Sequence, residues 1–288
     1  FPTDLYMAEG LADLVTEQRC RLRKIELEEL SGSLSEQTAV VMLTQVNFRD
    51  GELLDMAEIT AAAHRVGALV LWDLAHSAGV VPLALDDWQV DLAVGCGYKF
   101  LNGGPGAPAF VYVAQRHQAR ARQPLSGWLG HAEPFAFETA YRRAAGIRQF
   151  QVGTPPIISM AALDSALDLF DRVSMEAVRK KSLHLTGCFI QGLVDDPRLR
   201  DFRVLTPLSD ARRGSQVAVS HPDAWALSQA LIERGVIVDY REPDIVRFGF
   251  APLYNAFADV GTALTVLAEL CSGDVLAEYR GRARSAVT

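Results

Sequence analysis

Ala68-Leu69-Val70-Leu71-Trp72-Asp73-Leu74-Ala75-His76 and, further on, Asp91-Leu92-Ala93-Val94-Gly95-Cys96-Gly97-Tyr98-Lys99 are the stretches that decide the fold. Each is a short run, apolar on both faces, that gives way to polar or small residues, the pattern of a strand buried on two sides that stops at a loop. Upstream, Ala39 to Val46 is a similar β-branched run, Asn47 to Gly51 has turn chemistry, and Leu53 to Arg65 has helical spacing that Gly67 stops. Downstream, Asn102-Gly103-Gly104-Pro105-Gly106 is a turn and Ala107 to Val113 another strand. Strands of this kind alternating with helices indicate the α/β class, with a mainly parallel sheet flanked by helices.

Gly127 to Pro156 is rich in Gly, Pro and aromatic residues and reads as long functional loops with no core of their own to cover. A helix is expected over Ile157 to Arg172 and a longer one from Ser174 to Val194. Strands follow at Phe202 to Leu205 and Gln216 to Ser220, a helix at Ala224 to Arg234, a strand pair at Val236 to Asp239 and Ile245 to Phe248, and a closing helix from about Ala256. Arg19 to Leu30 reads as a charge-laced helical face. The expected division is a larger domain over 1–173 and a smaller C-terminal α/β domain over 174–288, in keeping with a length of 288 residues.

A hydrophobic content of 49% against 22% charged residues excludes a disordered or fibrous chain. The net charge of −7 argues against a broad nucleic-acid footprint, so small molecules or other protein chains are the expected partners. No apolar run approaches the roughly 18 residues of a membrane span, and Phe1 to Gly10 carries two acids and no basic segment. The expectation is a cytoplasmic protein without membrane span or signal peptide. Cys20, Cys96, Cys188 and Cys271 lie far apart, which fits reduced thiols rather than a disulfide frame or a metal site.

Lysine is scarce: Lys24, Lys99, Lys180 and Lys181 are the only candidates for amine chemistry. An aldehyde cofactor such as pyridoxal phosphate needs an amine that is partly desolvated, so that its pKa falls toward neutrality. Lys99, in a small-residue loop at the end of a buried strand, fits; a surface lysine after a strand is the alternative. A protonated pyridine needs a facing carboxylate, and Asp73 stands at a strand end, where open α/β sheets bind ligands. Alone, Asp73 would read as a cap or turn residue and His76 as a locally bonded histidine; together with Lys99 they read as a site.

Trp72-Asp73-Leu74-Ala75-His76-Ser77-Ala78-Gly79 and Gly97-Tyr98-Lys99-Phe100-Leu101-Asn102-Gly103-Gly104-Pro105-Gly106 closely resemble the kynureninases, pyridoxal-phosphate hydrolases of the aspartate-aminotransferase-like fold type I group. The resemblance extends through Phe1-Pro2-Thr3-Asp4, Gly127-Trp128-Leu129-Gly130-His131, Phe150-Gln151-Val152-Gly153-Thr154-Pro155-Pro156 and Ile245-Val246-Arg247-Phe248, hence over nearly the whole chain. It implies that Lys99 holds the cofactor covalently, Asp73 pairs with the pyridinium, His76 contacts the cofactor and Tyr98 reaches the phosphate. Lys99, Asp73 and Tyr98 would be the catalytic set. Phe1 would stack on the ring, with Pro2, Thr3 and Asp4 beside it and Asp4 on the nitrogen side, and Thr44 would be near. Trp128 and Thr154 would cross to the neighbouring subunit of a homodimer, and Arg247 would clamp the substrate's α-carboxylate.

The implied activity is hydrolysis of L-kynurenine, and of 3-hydroxykynurenine as a further candidate, to anthranilate and L-alanine in tryptophan catabolism. The alternatives are a cysteine desulfurase-like lyase, an aminotransferase, or a non-catalytic dimerisation or binding module. In one respect the sequence departs from the family. An N-terminal segment that supplies a hydroxyl-bearing cup for the cofactor phosphate has no counterpart before Phe1, so the chain is expected to be a fragment of a longer protein.

Overall fold

The computed structural model describes residues 1–15, 20–272 and 275–282. It opens on α1 (Pro2–Leu14), with Pro2 in the first turn and the Asp4 carboxylate accepting from the Phe1 nitrogen at 3.1 Å. No described residue of this helix is buried, so it offered no amphipathic pattern to the sequence reading. The helical face expected over Arg19 to Leu30 is not formed: Arg19 lies outside the described residues, 20–26 is irregular, and a 3-10 turn at Leu27–Glu29 leads into the short α2 (Leu30–Ser33). Only Leu30 of that helix is buried, and residues 20–26 before it are exposed, with Leu27 the first to pack against the core.

The first sheet carries four strands in chain order, β1 (Val40–Thr44), β2 (Leu69–Asp73), β3 (Leu92–Cys96) and β4 (Ala109–Val113). The first three run parallel and β4 pairs antiparallel with β3. Register places Thr44 beside Asp73. Between β1 and β2 lies α3 (Met56–Arg65), capped by the Asp55 carboxylate on the Glu58 amide at 2.9 Å. Gly67 ends the turn beyond it at φ +82°, where a β-carbon would be strained. Trp72 is fully buried in the cluster with Val70, Ala93, Met56 and Ala63, and its indole donates to Thr60 of α3 at 3.1 Å. Val40, Val94 and Val111 of the same sheet are exposed.

After the short α4 (Gln115–Gln118), residues 127–156 form the expected loops, with 3-10 turns at Trp128–Gly130, Pro134–Ala136 and Gly146–Phe150. Next come α5 (Ile157–Leu167) and the 21-residue α6 (Met175–Asp195), the latter capped by Ser174 on the Ala177 amide.

The second sheet is antiparallel throughout, in the order β5 (Arg203–Val204), β6 (Gln216–Ser220), β8 (Ile245–Gly249), β7 (Asp239–Arg241). The strand expected at Val236 to Asp239 starts later, because Val236 and Val238 pack against the core without ladder partners. On one face Val217, Val219, Val246 and Phe248 pack on α6, α7 (Ala224–Glu233) and α8 (Phe257–Cys271), and the short α9 (Ala277–Arg280) adds Tyr279 to the same core. Gln216 and Arg247 alternate onto the other face, which meets the turn after β1. Gln216 donates to the carbonyls of Asn47 and Phe48, Thr206 donates to that of Asp50, and the Gly214 amide donates to that of Gly51. Val46, Val80 and Val81 pack with Val178 of α6.

Among the described residues, no helix is long and apolar enough to cross a membrane, and no group of acidic, histidine or cysteine side chains could hold a metal ion.

Candidate active site

The carboxyl ends of β2 and β3 converge on one cluster. Gly79 permits it: at φ +89°, a β-carbon there would lie 2.6 Å from the Phe100 carbonyl, so only glycine lets the turn after β2 lie against the loop after β3. His76 and Lys99 are thereby brought together, with Nε2 and Nζ 3.0 Å apart. Burial, followed by the charges of Lys99 and Arg247, pushes the His76 pKa down to about 3, so the imidazole is neutral at pH 7. Its Nε2 then accepts from the Lys99 amine and Nδ1 keeps the ring proton. The Gln216 side chain of β6 also faces this imidazole.

Burial lowers the Lys99 pKa, and the Arg247 charge acts in the same direction, while Cys96, Asp73 and Asp4 oppose it. No carboxylate among the described residues lies within ion-pair distance of Lys99. Its counterparts are engaged or open to water: Lys24 pairs with Glu9, Lys181 donates to the Pro252 carbonyl at 2.6 Å, and Lys180 is exposed. Asp73, 9% exposed, accepts from the Ala75 amide at 2.8 Å and the Thr44 hydroxyl at 3.3 Å. Burial, reinforced by Asp4, raises its pKa, while the Ala75 amide and Lys99 pull it down.

Of the residues singled out in the sequence, Asp73, His76, Lys99, Thr44, Asp4 and Arg247 interact as one cluster. The Tyr98 ring centroid lies 5.7 Å from the Lys99 amine, and burial and Cys96 keep its phenol protonated. Phe1 packs edge-on against Phe48, with centroids 5.1 Å apart, and Pro2 and Thr3 open α1 behind it. Trp128 instead packs edge-on against Phe135, and Thr154 is exposed; neither shares a hydrogen bond or ring contact with the Lys99 cluster among the described residues.

Arg247, 8% exposed, is held by Asp239, whose carboxylate accepts from Nε and Nη2 at 2.6 Å each, while the Phe48 carbonyl accepts from Nη1. The sequence reading missed Gln216, Asp239 and Phe48. Asp239 alone had a signal, its place in a strand pair with Arg247.

Residues 178–267 match the family described as the kynureninase C-terminal domain. A kynureninase of Pseudomonas fluorescens is 47% identical over 289 residues, which is all of this chain and 69% of that protein. The chain belongs to the kynureninase family. A kynureninase of Deinococcus radiodurans is 50% identical over 268 residues, covering 93% of this chain and 65% of that protein. The chain thus spans about two thirds of the length of these kynureninase relatives.

Among solved structures, a cysteine desulfurase from Thermococcus onnurineus NA1 superposes with a TM-score of 0.72 at 19% identity, over 86% of this chain and 63% of that one. An alanine–glyoxylate aminotransferase from Nostoc sp. does so with 0.66 at 21% identity, over 85% and 65%. These likenesses are of fold: the chain shares with them an α/β layout of a mainly parallel sheet flanked by helices and a smaller C-terminal sheet.

The donor set fits such a cofactor: a desolvated amine without a carboxylate partner, and a buried carboxylate whose strand neighbour supplies a hydroxyl. Two buried atoms without a hydrogen-bond partner among the described residues, Gln45 Oε1 and Ser77 Oγ, belong to the residues that follow Thr44 and His76.

Proposed function

We propose that this chain forms most of a pyridoxal-phosphate-dependent kynureninase that hydrolyses L-kynurenine, with 3-hydroxykynurenine as a further candidate substrate, to anthranilate and L-alanine by cleaving the Cβ–Cγ bond. The observation that carries the reading is the Lys99 amine, desolvated and held by a neutral His76 beside Asp73, with Arg247 opposite. When bound, the cofactor supplies an aldehyde to capture the substrate amine and an electron sink for the charge that develops at Cα and Cβ.

The chain's own residues do the rest. Lys99 and Asp73 would hold the cofactor, with Thr44, His76, Tyr98 and the segment Phe1, Pro2, Thr3 and Asp4 around it. Asp73 would keep a proton on the pyridine nitrogen, whose positive charge would offset the burial that raises the carboxylate's own pKa. Lys99, with its pKa lowered, would take the proton from Cα as a neutral amine, give it up on the cofactor side and, neutral again, serve as base for the water that adds to the γ-carbonyl. Tyr98 stays protonated and would donate to the cofactor phosphate. Arg247 binds the α-carboxylate, for which its planar fork is suited.

The loops over 127–156 expose Trp128, Phe135, Phe137 and Val152, and the helix after them exposes Ile157 and Ile158. Aromatic and aliphatic patches of this kind fit a homodimer in which Trp128 and Thr154 complete the partner's site. The same reading divides the chain into a cofactor-binding domain over 1–173 and a smaller one over 174–288, and places the protein in the cytoplasm.

The test is to supply the intact protein with pyridoxal phosphate and L-kynurenine and to follow anthranilate fluorescence and alanine together. Equimolar release supports the reading. Amine transfer to an added keto acid, or sulfur release from cysteine, without anthranilate would overturn it in favour of an aminotransferase or a desulfurase-like lyase. No cofactor absorbance at all would favour a binding module.

A further inference from the structure

The hairpin of β7 and β8 sets Asp239 directly opposite Arg247. A guanidinium has five N–H donors. Asp239 takes two of them, through Nε and Nη2, and the Phe48 carbonyl takes one from Nη1. Among the described residues one N–H therefore remains without a partner on each terminal nitrogen, and where the Phe48 carbonyl takes the Nη1 hydrogen on the Cδ side these form the end-on pair a second carboxylate can grip. Charge points the same way. Asp239 also lies 3.8 Å from Arg241, so two cations face one anion and the cluster keeps a net positive charge. Arg247 is buried while the Asp239 side chain is 37% exposed, which leaves the carboxylate at the rim and the guanidinium inside.

We propose that Asp239 is a positioning residue: it fixes Arg247 by one side so that the remaining pair of N–H groups meets a ligand's α-carboxylate, and it does not compete for that pair. This rests on the function proposed above and deepens it. Without Asp239 the fork is free to turn toward the Phe48 carbonyl alone, and a buried cation loses its counter-ion. The effect belongs to the acid group of the ligand, since Asp239 touches neither Lys99 nor Asp73 among the described contacts.

The intact, cofactor-loaded protein tests this with Asp239→Asn and Asp239→Glu, by titration calorimetry and steady-state kinetics. The probes are L-kynurenine and its decarboxylated amine. In Asp239→Asn we expect the acid to bind at least about tenfold more weakly and the amine to change less than about twofold, with KM rising more than kcat falls; this is the order of one charge-assisted hydrogen bond. Asp239→Glu keeps the charge and is expected to restore part of the acid binding; it also carries the test if the Asn variant fails to fold. Acid binding as tight as wild type or tighter in Asp239→Asn, or equal loss for acid and amine in both variants, overturns the proposal alone. A wild type that does not prefer the acid to the amine overturns the functional reading and this proposal with it.

Discussion

Asp73 and Asp91 stand at opposite ends of the same sheet, one closing β2 and the other just before β3, and both are buried. Their surroundings differ in one respect, the number of donors. The Asp91 carboxylate accepts from His64 at 2.8 Å, the Val70 amide at 2.9 Å, Arg116 at 2.7 Å and His117 at 2.6 Å. Burial acts against it, but these bonds prevail and hold its pKa down at about 2. His117 receives Arg120 on Nδ1 at 2.9 Å, so it donates its Nε2 proton to Asp91. Asp73 has one amide and one long hydroxyl contact, and for it burial prevails. A buried carboxylate with every lone pair engaged is part of the scaffold; one left short of donors can still receive a proton or a ligand's positive charge.

The comparison is sharpened first by activity. Asp73→Asn keeps the shape but removes the charge, and is expected to lower kcat/KM for L-kynurenine by about 10³-fold, the scale of losing a placed electrostatic partner. Asp91→Asn, once folded, should stay within about threefold of wild type. Comparable losses in both would erase the distinction.

Stability should rank the two in the opposite order. Asp91→Ala strands Arg116, two imidazoles and the Val70 amide, and is expected to cost about 3–5 kcal/mol in urea unfolding. Asp73→Ala should cost about 1 kcal/mol or less, because a carboxylate with a raised pKa is itself held at a disadvantage.

Acid should separate them by sign. The folded pKa of Asp91 lies below its unfolded value, so its contribution is full above about pH 4 and lost as pH falls from there toward 2. Its size is at most about 2 kcal/mol, and less where solvent screens the pairs. Asp73 is raised, so the folded state binds its proton first; across the interval between the unfolded and folded pKa values, stability falls as pH rises. Thermal melting of Asp91→Asn against pH should lose the acid-limb slope, and that of Asp73→Asn should not.

The smallest effect is expected at Thr44. Thr44→Val deletes the hydroxyl that donates to Asp73 and should cost about 0.5 kcal/mol while shifting the acid limb of the kcat/KM profile upward. A downward shift would mean that Thr44 opposes the Asp73 charge.

These contrasts also show what a sequence can carry. β1, β2 and β3 were legible because strands buried on two faces have a strong local signature, and the Lys99 cluster because scarce lysines and strand-end acids narrow the choices. Asp91 read only as the start of a strand, since His64, Arg116 and His117 reach it from 25 to 27 residues away. Gln216 was missed for a related reason: its role comes from the second sheet's docking on the turn after β1, which no local pattern encodes, whereas Asp239 had a signal in its strand pairing with Arg247. The exposed α1 had no core-facing stripe to reveal it.

The central claim is that Lys99, alone among the lysines, is the amine that takes the cofactor. Intact protein loaded with pyridoxal phosphate, reduced with borohydride and digested, can be mapped by peptide mass spectrometry. The account predicts the reduced adduct on the peptide holding Lys99, and its loss in Lys99→Ala; an adduct on Lys24, Lys180 or Lys181 at comparable yield would contradict it.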